Sequence, residues 1–212
     1  MNKKVFFINC LLILAVAFLP ACSKQEKVAE KPKQEDHKPD ATEGEKEALP
    51  EFKVGDNILS ILKSTKVKNV KGKTKSLKNF LGNEKTLITV VKPGCVFCES
   101  MLAIKSATGV TTKAKFLVVL DSSHGDFDTF KDKHEKFKSA GGEWLYDINN
   151  YTHDKLGISS YPRFLLIDKK GNIEEYQTGL FMPEDKTSLE GKAFPEVLQR
   201  LSEETMRWMS QV

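Results

Sequence analysis

The chain has 212 residues, with 33 Lys and Arg against 29 Asp and Glu and a net charge of +4. That balance is too even to suggest a nucleic-acid partner. From residue 51 onward, the length suits one domain with a proper core, and no internal repeat divides it.

Residues 1–21 begin with Lys3 and Lys4 and continue as an apolar run from Val5 to Leu19. The run is shorter than the about 20 apolar residues of a spanning helix. A charged start, a short apolar core and a small-residue end are the parts of an export signal, an uncleaved anchor helix being the alternative. Leu19-Pro20-Ala21-Cys22 resembles the lipobox of bacterial lipoproteins. In that family the cysteine is lipidated and becomes the first mature residue. The resemblance implies a lipoprotein signal peptide over 1–21, lipid attachment at Cys22, and a membrane anchor with the domain on the non-cytoplasmic side. Several acyl chains hold where a single one binds only marginally.

The chain has four cysteines, Cys10, Cys22, Cys95 and Cys98. With Cys10 cleaved away and Cys22 lipidated, Cys95 and Cys98 are the thiols left, in a compartment where disulfides persist. Residues 22–50 mix charges and prolines with hardly any large apolar side chain, so they cannot offset their ordering entropy and read as a flexible tether.

From residue 51 to 212 the composition turns globular. Residues 63–77 alternate with period two around Gly72, which predicts a β-hairpin with a Lys-rich outer face. That face either blocks edge pairing or meets an anionic lipid or acidic partner. Buried strands are predicted at 86–92 and 115–121, separated by a helix at 95–107. Phe127, Phe130, His134 and Phe137 fall at helical spacing within 126–140, ahead of Gly141-Gly142. A short strand at 143–148 and a short helix at 151–157 come next. Strands at 163–168 and 173–179 flank a tight turn at 169–172. Apolar residues at 194, 198, 201 and 208 predict an amphipathic closing helix over 194–212, with Pro195 in its first turn. The alternation predicts an α/β domain with a mixed central sheet and helices on both faces.

The stretch Lys92-Pro93-Gly94-Cys95-Val96-Phe97-Cys98 carries the chemistry. A strand stops at Pro93-Gly94 and a helix begins at Cys95. Unpaired amides and the positive end of the macrodipole favour thiolate there, so Cys95 is expected to have a depressed pKa. Cys98 lies on the same helix face, near enough to bridge. The spacing predicts an exposed attacking sulfur and a sheltered resolving one. Lys92 would assist the thiolate and Glu99 oppose it. A metal site is the alternative, but the pair supplies two soft ligands where structural zinc takes four. The histidines, His37, His124, His134 and His153, read as tether, loop or core-rim residues.

The run 54–82, the strand, the dithiol and Leu156-Gly157-Ile158-Ser159-Ser160-Tyr161-Pro162-Arg163 through Gly179 together resemble the TlpA/ResA-like branch of the thioredoxin superfamily over residues 52–200. Its members are membrane-anchored thiol–disulfide oxidoreductases of the bacterial envelope. The resemblance implies a thioredoxin-like fold with an N-terminal hairpin extension, and catalysis by Cys95, Cys98 and a cis-proline at Pro162. It also implies a substrate surface at Tyr161, Val96, Phe97 and Gly94. No metal and no cofactor beyond the redox-active Cys95–Cys98 disulfide is expected. The implied partners are protein thiols and disulfides of the envelope and an upstream membrane electron donor. The implied direction is reduction; a disulfide-forming oxidant of the same fold and a Cu(I)-binding module are the alternatives. Gly94 stands where that branch usually carries an aromatic, which is closer to a glutaredoxin, and Val96-Phe97 replaces its usual dipeptide. A peroxiredoxin would want Thr at position 92, and a Sco-type copper protein three residues between its cysteines.

Overall fold

The computed structural model describes residues 50–212. The export signal over 1–21, the lipid-attachment residue Cys22 and the rest of the tether to residue 49 lie outside the described residues. In chain order the elements are α1 (Leu59–Ser64), β1 (Lys66–Asn69), β2 (Thr74–Ser76), β3 (Lys85–Val91), α2 (Val96–Thr108), β4 (Lys115–Leu120), α3 (Phe127–Phe137), β5 (Glu143–Asp147), α4 (Tyr151–Leu156), β6 (Arg163–Asp168), β7 (Ile173–Thr178) and α5 (Phe194–Gln211).

β3 and β4 are apolar and β-branched almost throughout, a pattern that needs cover on both faces. They lie side by side at the centre of a seven-stranded sheet ordered β2-β1-β5-β4-β3-β6-β7. β3, β4 and β5 run parallel, and Thr86 opposite Lys115 sets the central register. Parallel neighbours require crossovers, and α2 and α3 supply them. β6 and β7 add an antiparallel hairpin beside β3, and the β1–β2 hairpin closes the other flank against β5.

Successive side chains on each central strand face opposite layers, so the sheet carries two cores. On one face Leu87, Val91, Val118, Leu120, Phe164 and Leu166 pack against α2, α3 and α5. On the other, Ile88, Val90, Leu117, Val119, Leu165 and Ile167 pack against α1, α4 and a 3₁₀ turn at Leu77–Phe80. The mixed sheet with helices on both faces is thus as the sequence predicts.

Two local expectations change. The N-terminal hairpin begins at Lys66 rather than residue 63, because Leu59–Ser64 folds as α1 and drives Leu62 into the second core. Phe194 shares the helical period of the α5 apolar face, yet it is 58% exposed. It sits in the first turn of α5, and burial on this helix begins at Leu201.

Candidate active site

The C-terminal end of β3 delivers the chain to the dithiol. Gly94 adopts φ +73, the left-handed conformation that glycine takes without strain, and so turns the chain into α2. Cys95 has extended backbone and caps the helix; its sulfur accepts the Cys98 amide N–H at 3.2 Å. The Glu99 amide donates to the Cys95 carbonyl at 3.0 Å, closing the first turn. Cys95 and Cys98 are joined as a disulfide, with α-carbons 5.2 Å apart. Cys95 keeps 8% of its surface and Cys98 1%, so both are buried in the disulfide. The attacking residue is the less buried of the two, yet it is not exposed as the spacing predicts, because it packs into the core beside α2.

Val96 and Phe97, between the two cysteines, point outward at 54% and 38% exposure. Phe97 meets Phe194 edge-on, with ring centroids 6.2 Å apart. A cavity of about 530 Å³ adjoins Val96, lined also by Gly94, Ala103, Phe137 and Leu198. Glu99, at the same end of α2, is held by the ammonium groups of Lys133 and Lys136 on α3. Burial pushes its carboxyl up, but the two lysines outweigh burial and hold it below its usual range. The opposition expected from Glu99 to a sulfur anion is therefore matched by two cations.

Pro162 is buried, follows a cis Tyr161-Pro162 bond, and its carbonyl accepts the Gly179 amide at 2.8 Å. Tyr161 packs against the cluster that contains both cysteines, under the Lys92 ammonium, which lies 5.3 Å from its ring centroid. The structure thus brings Gly94, Cys95, Val96, Phe97, Cys98, Tyr161 and Pro162 to the end of the sheet where β3 finishes and β6 begins.

A β-α-β crossover carries the dithiol at its strand-to-helix junction. An antiparallel hairpin and a closing helix on the dithiol-helix face follow it. The fold is thioredoxin-like. The chain is similar to an uncharacterized conserved protein from Geobacillus kaustophilus, at 13% identity and a TM-score of 0.52 over 76% of this chain and 86% of that one. It is also similar to the pneumococcal exposed lipoprotein thioredoxin Etrx1 from Streptococcus pneumoniae, at 22% identity and a TM-score of 0.45 over 65% of this chain and 97% of that one. StoA from Bacillus subtilis aligns at 16% identity and a TM-score of 0.44, over 75% and 99%. No family model matches the sequence, and no curated protein matches it.

Beside Tyr161 and the dithiol lie two carboxylates that sequence reasoning missed. Asp121 directly follows β4 and is fully buried. One of its oxygens accepts the Ser123 amide at 2.6 Å, and the other accepts the Tyr161 hydroxyl. The same hydroxyl reaches the Ile158 carbonyl at 3.2 Å. Burial, followed by the hydrogen bond to Asp121, pushes the Tyr161 phenol well above its ordinary value. The available signal for Asp121 was an apolar run, Phe116 to Leu120, stopping at a carboxylate.

Asp147 ends β5 and is also fully buried. It accepts the Tyr151 amide at 3.1 Å and the Thr152 amide and hydroxyl at 2.8 and 2.7 Å, so it ties down the start of α4. Burial pushes its carboxyl up to about 6; the Thr152 bonds pull the other way, and nearby Asp121 adds to the rise. His134 stacks edge-on with Trp144 at 5.7 Å, at the core rim, and His153 pairs with Asp154 at 2.9 Å. Among the described residues no group of three or more His, Cys, Asp or Glu stands together as a metal site would require.

Proposed function

We propose that this chain is a thiol–disulfide oxidoreductase that reduces disulfides of envelope proteins, anchored to a membrane through a lipid on Cys22. One observation carries the reading. Cys95 caps a helix with an amide N–H aimed at its sulfur, and Cys98 lies one turn on, deeper and already within bonding reach. Once the pair is reduced, that amide and the positive helix end stabilise a Cys95 thiolate over its thiol.

The Cys95 thiolate attacks one sulfur of a partner disulfide. The partner's S–S bond breaks, its other sulfur leaves as a thiolate and takes up a proton, and a mixed disulfide remains. Cys98 then loses its proton and attacks the Cys95 sulfur. The Cys95–Cys98 disulfide forms, and the partner's second sulfur departs as a thiolate to be protonated. Two electrons pass to the partner, and an upstream membrane donor restores the dithiol. Val96, Phe97 and Gly94 offer an exposed surface for the partner chain, and the backbone of Tyr161, ahead of Pro162, offers an edge for it to pair with. The lipid anchor rests on the likeness of Leu19-Pro20-Ala21-Cys22 to a lipobox; among the described residues no helix is long and apolar enough to cross a membrane.

The test is reduction of a model protein disulfide by the reduced chain. Cys95→Ser is expected to abolish the acceleration, and Cys98→Ser to accumulate the mixed disulfide. A Cys95→Ser chain as fast as the unaltered one would overturn the reading.

A further inference from the structure

The residue after the cis-proline, Arg163, is 8% exposed. A guanidinium stays ionised at any pH a protein survives, so its burial demands a partner. Its planar group lies 4.6 Å from the centroid of the Tyr176 ring, a cation–π contact on one side. Its Nε is buried and without a hydrogen-bond partner. Among the described residues no carboxylate pairs with it, although Lys85, Lys133 and Lys136 all find one.

Arg163 opens instead onto a cavity of about 540 Å³. Tyr176 and Phe52 form part of its wall, Ser159 adds a hydroxyl, and Gly157 and Pro50 close one side. Gly157 is required there. Its φ is +61, and a side chain would run into the Pro50 carbonyl. The chain before α1 therefore lies directly on the loop between α4 and β6, and together they wall a space beside an uncompensated charge.

We infer that this cavity is a binding site for a carboxylate group, held by the Arg163 fork above the Tyr176 ring. Guanidinium and carboxylate match as planar, two-pronged partners. The cavity is roomy enough for a carboxylate with its carrier, as in a small dicarboxylic acid or an acidic side chain of a docked polypeptide. The site stands apart from the dithiol chemistry. Arg163 faces the layer of Leu165, whereas Cys95 and Cys98 belong to the layer of Phe164. Both sites nonetheless border the loop that carries Tyr161 and Pro162. Glu51 also lines the cavity and opposes an incoming anion, so it weakens the site without filling it.

The experiment titrates the full chain with sodium succinate at constant ionic strength, following amide chemical shifts of residues 157–163 and the melting temperature. Inorganic phosphate and an acidic peptide are run in parallel. The peptide responding more strongly than succinate identifies a polypeptide carboxylate; succinate alone responding identifies a free acid. Saturable shifts are expected, weakened about tenfold or more in Arg163→Gln, partly kept in Arg163→Lys, and strengthened in Glu51→Gln. Three results would overturn the assignment: no saturable response to any carboxylate, equal response in Arg163→Gln, or binding that appears only in Glu51→Gln. The last would make Glu51 the resident counter-ion. Circular dichroism of each variant establishes that it is folded. Because no readout involves the cysteines, failure here leaves the oxidoreductase reading untouched.

Discussion

Asp147 makes stability depend on pH in a direction opposite to that of most carboxylates. Its carboxyl rises from 3.8 to about 6 on folding, chiefly because it is fully buried. The folded state then holds a proton that the unfolded chain releases, so unfolding is favoured as pH increases between those values. Asp147 contributes its stabilisation in full below about pH 4 and loses it as pH rises through about 6. At about 1.36 kcal/mol per pH unit, the difference amounts to about 3 kcal/mol. Glu99, Asp126 and Asp168 are held low in the folded state and act the other way, adding stability as pH rises. Total stability therefore masks the effect, and a difference measurement exposes it. Urea unfolding of the unaltered chain and of Asp147→Asn, from pH 4 to pH 7.5, gives two curves. The substitution changes the hydrogen bonds to Thr152 by an amount that does not vary with pH. Subtracting the curves leaves the titration alone. The unaltered chain should lose about 2–3 kcal/mol relative to Asp147→Asn across that window, half of it by about pH 5. Parallel curves would refute the argument, and a difference of the opposite sign would show that the Thr152 and Tyr151 donors outweigh burial.

Other outcomes follow from the same geometry. Tyr161→Phe removes the hydroxyl that Asp121 accepts and leaves a buried carboxylate with one partner fewer, so urea unfolding should show a loss of about 2 kcal/mol; a loss below about 0.5 kcal/mol would mean that water replaces the hydroxyl. Gly157→Ala forces a side chain into left-handed backbone and against Pro50, and thermal unfolding should register at least about 1–2 kcal/mol, with amide shifts confined to residues 50–52 and 157–163. A wild-type melting temperature would show that the Pro50 segment moves aside freely. Cys22→Ser should transfer the chain from the membrane to the soluble fraction of cells; a variant that stays with the membrane excludes lipid attachment at that cysteine.

The layout was legible wherever period and punctuation agreed. The apolar runs of β3, β4 and β6 leave few options but buried strands, and Pro93-Gly94 ahead of Cys95 marks a strand-to-helix junction. Tyr161-Pro162 was legible through resemblance, since composition alone says nothing about which peptide bond is cis. What escaped depends on pairs far apart in the chain. Asp121 and Tyr161 are 40 residues apart, and no local pattern announces that their side chains meet. Leu59–Ser64 is too short for a helical period to separate it from the alternation that follows. Phe194 obeys the period of α5 but stands in its first turn, where the core has not yet begun. Arg163 could be placed in a strand from its neighbours, but its lack of a counter-ion is visible only once both cores are assembled.

The hairpin on one flank of the sheet has a consequence of its own. Lys66, Lys71, Lys73, Lys75 and Lys78 are exposed there, and among the described residues none of them is in an ion pair of the kind that engages Lys85 with Glu174 on the opposite flank. The net charge of +4 thus includes a local cluster of unpaired lysines at this edge. Within about 10 Å of a flat anionic surface at 0.1 M salt, such a cluster is drawn toward the surface. Orientation at such a surface becomes a property that added salt can erase while leaving the fold intact.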